Sequence, residues 1–124
     1  MDFTLEQAKA IYASQYPSNE DAYSPQEIFD QVWESPAPWF ELMGEFHHHN
    51  NTKLPATVAE ISENGQTCLS KHLITEDIII NAAIKLYFDK VLGVMPFSMF
   101  ISNLDAIDVD NILQVAMFGE VRYS

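Results

Sequence analysis

The strongest restriction on the fold comes from residues 76–92, a predicted helix whose apolar residues cover most of its circumference. Asn81, Lys85 and Asp89 interrupt it at i, i+4 and i+8, so on a helix they form one narrow polar stripe. A helix that is apolar almost all round is typical of the centre of a domain. We therefore predict a mainly α fold: a compact single-domain helical bundle around a central helix near residues 76–92, with residues 1–124 forming one acidic helical domain.

Start and stop signals predict further helices on both sides of the central one. The clearest start is at Ser24, which is followed by Pro25 at the first helical position and by Glu27 at capping-box spacing. The predicted helices span residues 5–15, 25–34, 36–43 and 97–101, and a last helix ends near residue 118. Capping residues precede several of the predicted helices: Thr4, Ser24, Thr75, and Asp105 or Asp108.

Residues 54–74 fit two structures. Leu54, Val58 and Ile61 have the spacing of a short helix that ends near Asn64 and Gly65. The same Asn-Gly pair is typical of the turn of a β-hairpin. The apolar spacing favours the helix, and a small β-hairpin near residues 57–70 is the alternative.

The charge of the chain is strongly negative and unevenly spread. It has 18 Asp and Glu against 6 Lys and Arg, a formal net charge of −12. No basic residue occurs between Lys9 and Lys53. This excess argues against direct binding to nucleic acid or to anionic lipid, because both are polyanions. A partner for this charge would be a basic protein.

The acids in the stretch without a base are our candidate binding residues. Glu27, Asp30 and Glu34 lie at i, i+3 and i+7, so a helix would place them in one exposed row. Such a row is either an ordinary solvated face or a surface for a cationic partner. Trp33 and Trp39 are candidate aromatic anchors beside it, as in interface hot spots. The complete predicted partner-binding set is Glu20, Asp21, Glu27, Asp30, Glu34, Glu41, Glu45, Trp33 and Trp39.

Histidines and the single cysteine are the residues that most invite a catalytic interpretation. His47, His48 and His49 could bind a metal together with Glu45 and His72, but consecutive side chains point in different directions. Cys68 and His72 have the i, i+4 spacing of a dyad, yet nothing around them suggests an oxyanion hole. We therefore expect no metal site, no cofactor and no catalytic residue, and a protein that is not an enzyme.

The acids near the last helix resemble a calcium loop only superficially. Asp105, Asp108 and Asp110 are out of register with the EF-hand pattern, which also requires a glycine that is absent here. Helix capping explains these acids better.

Three functions are compatible with these features. The first is a non-enzymatic acidic protein that docks on a basic surface of a nucleic-acid-processing partner and blocks it. Small acidic helical proteins of this physical type include nucleic-acid mimics, phage-encoded inhibitors of restriction or CRISPR nucleases, and nuclease-immunity proteins. The second is a homo-oligomeric adaptor or antitoxin-like interaction protein, and the third is a small His-metal enzyme. We favour the first.

The sequence also predicts the compartment. The residues that follow Met1 lack the basic and apolar regions of a secretory leader, and no apolar run is long enough to span a membrane. With a single cysteine, Cys68, the expectation is a cytoplasmic protein.

Overall fold

The computed structural model describes residues 4–15, 23–34, 40–43, 53–62, 65, 67–91 and 94–122. Within these ranges, helices flank a short β-sheet in the order α1 (Leu5–Gln15), α2 (Pro25–Val32), β1 (Phe40–Met43), β2 (Ala56–Ile61), β3 (Cys68–Ile74), α3 (Glu76–Leu86), α4 (Phe97–Ser102) and α5 (Ala106–Phe118). A π-helical turn at Tyr87–Val91 continues α3.

The prediction of a mainly α bundle is wrong, because the chain forms a mixed α/β fold with a three-stranded antiparallel sheet. The strands are ordered β1–β2–β3. The helix predicted over residues 36–43 is contradicted at Phe40–Met43, which is β1; residues 36–39 lie outside the described residues. Pairing with β2, from Phe40 opposite Glu60 to Met43 opposite Thr57, overrides the local helical signal.

The helix favoured over residues 54–74 is also wrong, and the hairpin alternative describes this segment. β2 pairs with β3 from Ala56 opposite Ile74 to Ile61 opposite Cys68, with a bulge at Glu60/Ile61. Ser62 N donates to Thr67 O over 2.8 Å to close the turn. The three apolar residues that fit a helical period span too few turns to distinguish a helix from a strand.

The central helix begins as predicted but ends earlier as a regular α-helix. The Thr75 hydroxyl accepts a hydrogen bond from Ile78 N, and α3 then runs to Leu86. In the wider turn that follows, the Tyr87 hydroxyl donates to Met95 O over 2.7 Å. The Tyr87 ring also packs edge-on against Phe97, with centroids 5.4 Å apart. These contacts tie the π-helical turn to α4.

The helices and the sheet share one apolar core. Phe40, Val58 and Ile74 lie on the face of the sheet that we call the inner face, and they are buried together with Phe29 of α2 and Ile112 of α5. Glu41, Ala59 and Lys71 alternate with those residues and define the outer face of the sheet. Among the described residues, none of the helices has the length and apolar character needed to cross a bilayer.

Candidate functional site

Helix α2 carries Glu27 and Asp30 of the predicted acid row, while Glu34 lies two residues beyond the end of the helix at Val32. The N-terminus of α2 is set by a reciprocal capping box. Glu27 N donates to the Ser24 hydroxyl, and Ser24 N donates to Glu27 Oε1, both over 3.2 Å. Pro25 occupies the first turn. The helix buries Ile28, Phe29 and Val32 on one side, so Glu27 and Glu34 on the opposite side are exposed.

Asp30 lies between these two glutamates and takes part in a polar bridge. Gln26 Nε2 donates to Asp30 Oδ1 over 3.0 Å, while Gln26 Oε1 accepts from Leu54 N over 2.9 Å. The bridge connects α2 to the chain just before β2. Together with the buried side of α2, it holds the acid row in a fixed position relative to the sheet.

Trp33 lies at the edge of the core rather than on an open surface. Its ring makes edge-on contacts with Phe29, at a centroid distance of 5.7 Å, and with Phe40, at 6.3 Å. Its indole Nε1 is buried and has no hydrogen-bond partner within the described ranges. Trp33 therefore supports the C-terminal end of α2, and the partner-anchor role predicted for it stays a prediction.

Glu41 is separated from the acids of α2. In β1, Phe40 points to the inner face, on the side where α2 packs, so Glu41 points to the outer face. The structure thus brings Glu27, Asp30 and Glu34 together but places Glu41 on a different surface. The remaining predicted binding residues lie outside the described residues: Glu20, Asp21, Trp39 and Glu45.

Lys85 and Arg122, two basic residues of the C-terminal half, make contacts away from the acids of α2. Lys85 Nζ donates to Gly119 O over 2.7 Å, at the C-terminus of α5. Arg122 pairs with Glu120 at 3.5 Å and lies 4.4 Å from the centroid of the Phe118 ring. In the part of the chain that the structure describes, no ion pair reaches Glu27, Glu34 or Glu41.

A partly buried polar chain that the sequence analysis missed lies on the inner face of the sheet. Ser70 Oγ donates to Glu60 Oε1 over 2.9 Å and is 2.9 Å from His72 Nε2. Donating the single hydroxyl proton to Glu60 leaves Ser70 Oγ as the acceptor towards His72, which requires the tautomer of His72 with its proton on Nε2. In a hydrolase triad the serine would instead give its proton to the histidine. This arrangement therefore does not activate Ser70 as a nucleophile.

Strand pairing is what brings these three side chains together. Glu60 and Ser70 are directly opposite in the β2–β3 pair, and His72 follows two residues later on the same face. The ring of His72 also packs edge-on against Phe118, with centroids 5.4 Å apart. The sequence signal for this polar chain is the alternation of polar residues at 68, 70 and 72. It indicates a shared face only if the segment is known to be a strand.

The structure also bears on the dyad, the calcium loop and the metal site that the sequence analysis considered. Cys68 and His72 are four residues apart on a strand, roughly 13 Å along the chain, too far for a dyad. Asp105 and Asp108 form a second capping box, in which Asp108 N donates to Asp105 Oδ1 over 2.8 Å. His47, His48 and His49 lie outside the described residues. Within the described ranges, no cluster of three or more His, Cys, Asp or Glu residues could hold a metal ion.

Asp108 and Asp110 of α5 are half-buried, as Asp30 is, whereas Glu27 and Glu34 are exposed. Burial raises the pKa of Asp110, and the hydrogen bond from Gln114 only partly offsets this. Asp110 Oδ1 is buried without a partner among the residues described. Burial likewise raises the pKa of Asp108; the Asp105 backbone N–H opposes the rise, and the Asp105 charge adds to it. These carboxyls belong to the structure of α5 and its cap.

Comparisons with protein families, with characterised proteins and with solved structures found no match for this chain.

Proposed function

We propose that this chain is a non-enzymatic acidic protein that binds a basic surface of a nucleic-acid-processing partner, such as a nuclease, and competes there with nucleic acid. One observation carries the proposal. Glu27 on α2 and Glu34 just beyond its end are exposed on the side opposite the core, with Asp30 half-buried between them, and neither glutamate makes an ion pair within the described ranges.

The spacing of the row supports competition with a phosphate backbone. At the rise of α2, about 1.5 Å per residue, Glu27, Asp30 and Glu34 would span roughly 10 Å, with Glu34 two residues beyond the end of the helix. One strand of DNA carries a charge about every 3.4 Å, or about three charges over the same length. A lysine-lined or arginine-lined groove could therefore meet a similar density of negative charge on α2.

A location in the cytoplasm is part of the same proposal. The supporting observations are that the chain has a single cysteine, Cys68, and that no described helix could cross a bilayer.

The experiment compares two variants that remove the same amount of charge from different places. The first, Glu27→Gln/Asp30→Asn/Glu34→Gln, keeps the capping box, because a glutamine oxygen can also accept from Ser24 N. The matched control removes three exposed or solvent-facing acids elsewhere: Glu6→Gln, Asp89→Asn and Glu120→Gln. Wild type and both variants serve as baits in a lysate of the source cells, and captured proteins are eluted with double-stranded DNA.

We expect the wild-type and control baits to release a basic nucleic-acid-binding protein on addition of DNA. Against that purified protein, the α2 variant should show a dissociation constant raised at least about tenfold, since it loses three charge contacts. Equal weakening by both variants would mean that total charge, and not the row on α2, drives binding. Capture that DNA does not reverse would contradict the proposed competition.

A further inference from the structure

We propose that the free edge of β3 docks one extended strand of a partner protein, in which an acid stands between two apolar residues at alternate positions. This site is distinct from the acid row of α2, and it does not rest on the function proposed for that row.

β3 lies at one end of the sheet order β1–β2–β3, and no described strand pairs with its other edge. The backbone N–H and C=O groups along such an edge are the groups with which an added strand pairs. The opposite edge strand, β1, has four residues, whereas β3 has seven. An occupant that pairs with these groups must itself be extended, so the edge selects a strand and not a helix.

Burial decreases from β2 to β3 on the inner face of the sheet. Val58 and Glu60 of β2 are buried. His72 and Ser70, which lie directly opposite them on β3, are only half-buried, although Phe118 of α5 contacts the His72 ring. The rest of the chain therefore covers β2 more completely than it covers β3.

The outer face shows the same decrease in burial. Ala59 of β2 is only 1% exposed, so the middle of this face is already covered within one chain. Lys71, directly opposite Ala59 on β3, is exposed, and its neighbours on the same face, Leu69 and Leu73, are 55% and 60% exposed. A partner therefore has access along β3 and not across the whole face.

The outer side chains of β3 specify what the added strand carries. Leu69, Lys71 and Leu73 alternate as apolar, basic and apolar, and Lys71 makes no ion pair among the described residues. Directly opposite residues on neighbouring strands have Cβ atoms about 4.5–5.5 Å apart, which permits an ion pair or apolar contact. The complementary strand therefore presents an acid to Lys71 and an apolar residue to each leucine. This pattern reads the same in both directions, so it holds for either strand orientation.

An acid in the added strand meets little local repulsion at this edge. Residues 64–75 contain no Asp or Glu, and Lys71 carries their only formal charge. Exposed charges more than about 8 Å away are largely screened at physiological ionic strength. The net charge of −12, taken alone, favours a basic partner. A preference for an acidic strand is therefore a property of this site that net charge does not predict.

Cys68, the first residue of β3 and the only cysteine of the chain, provides a tether for a probe strand. The probe is the capped peptide LTETLC, whose cysteine lies opposite Cys68 in an antiparallel pairing. Its glutamate then lies opposite Lys71, and its two leucines lie opposite Leu73 and Leu69. Opposite Cα atoms in an antiparallel pair are about 4.5–5.5 Å apart, a distance that a disulfide spans.

The measurement is a competition for Cys68 between the probe and glutathione. The protein is equilibrated with equal concentrations of peptide and glutathione in a thiol–disulfide exchange buffer, and intact mass gives the ratio of the two adducts. The comparison peptide, LTKTLC, replaces the glutamate with lysine. We expect the wild type to favour LTETLC over LTKTLC at least about threefold, because only LTETLC places opposite charges across the pair at Lys71. A preference for LTKTLC would show that only the net charge acts, and would overturn the proposal.

Charge reversal at Lys71 provides the decisive variant. Lys71→Glu should invert the preference, so that LTKTLC is favoured. The matched control, Lys90→Glu, makes the same change in net charge at an exposed position of the π-helical turn and should keep the wild-type preference. Thermal unfolding checks that both variants are folded; if Lys71→Glu is not, Lys71→Gln replaces it and should lose the preference for LTETLC. A preference that responds equally to both positions, or to neither, would overturn the proposal.

Amide hydrogen exchange tests whether the probe pairs through its backbone. Alternate amides of β3 should exchange at least about threefold more slowly in the LTETLC adduct than in the glutathione adduct. Unchanged exchange would show side-chain contact without an added strand. A disulfide-linked dimer of the chain in excess of the peptide adduct would show that a second copy occupies the edge. Either result would overturn the proposal. Neither readout depends on the acids of α2, so failure here is separate from failure of the function proposed for them.

Discussion

Helices α2 and α5 use the same kind of residue in different ways. Both begin with a reciprocal capping box that includes an acid, Glu27 in α2 and Asp108 in α5. Glu27 of α2 and Glu34 just after it are exposed, whereas Asp110 of α5 is half-buried, as Asp30 of α2 is, and has one oxygen unpartnered among the described residues. The number of acids in a sequence is therefore a poor measure of the charge available for binding. What matters is the side of each helix that the core covers.

The largest effect should come from removing the side chain that anchors α2. Phe29 is fully buried and contacts Trp33 edge-on. Phe29→Ala should lower the free energy of unfolding by about 3–5 kcal/mol, because it leaves a cavity beneath the acid row. Denaturant unfolding measures this change in the free energy of unfolding. Glu34→Gln, on the exposed side of the same region, should change stability by less than about 0.5 kcal/mol; a comparable loss there would mean that the row itself is structural.

A smaller effect on stability is expected at Glu27, which both caps α2 and belongs to the proposed binding surface. Glu27→Gln keeps an oxygen that accepts from Ser24 N, so stability should change by less than about 0.5 kcal/mol. Glu27→Lys loses that acceptor and places a positive charge at a helix N-terminus, which should cost about 1 kcal/mol. Thermal unfolding of the two variants side by side gives the difference. Equal stabilities of the two variants would show that the side-chain oxygen at position 27 contributes nothing to the cap.

The smallest expected effect is in the pH dependence of stability, which should distinguish half-buried Asp110 from exposed Glu34. Burial raises the pKa of Asp110 above its ordinary value of 3.8. The native state therefore favours the protonated carboxyl, whose stabilising contribution is full below pH 3.8 and is lost as pH rises through the raised pKa. Asp110→Asn should thus become more stable relative to the wild type as pH rises through this range.

Glu34→Gln is the matched control for that measurement, since it removes the same charge from an exposed position. Unfolding curves at a series of pH values should show a gain of less than about 1 kcal/mol for Asp110→Asn at neutral pH, and a smaller gain for the control. Identical pH profiles for the two variants would mean that general charge repulsion, and not burial, governs Asp110.

Part of the fold could be predicted because its causes are local. The starts of α2, α3 and α5 agree with the capping residues Ser24, Thr75 and Asp105. Each of these side chains accepts from a backbone N–H only three residues later, so the sequence contains both partners of the bond. The outward row on α2 follows from the same local period, because Ile28, Phe29 and Val32 must face the core.

Sequence alone therefore determined where these helices begin and which side of α2 carries its acids. Only the tertiary structure decided that residues 54–74 form a hairpin, that Glu41 faces away from α2, and that Glu60, Ser70 and His72 meet. The physical reason is that a strand is stabilised by its neighbours. Its hydrogen bonds and the direction of its side chains depend on residues far away in the chain, whereas a helix satisfies most of its backbone within itself.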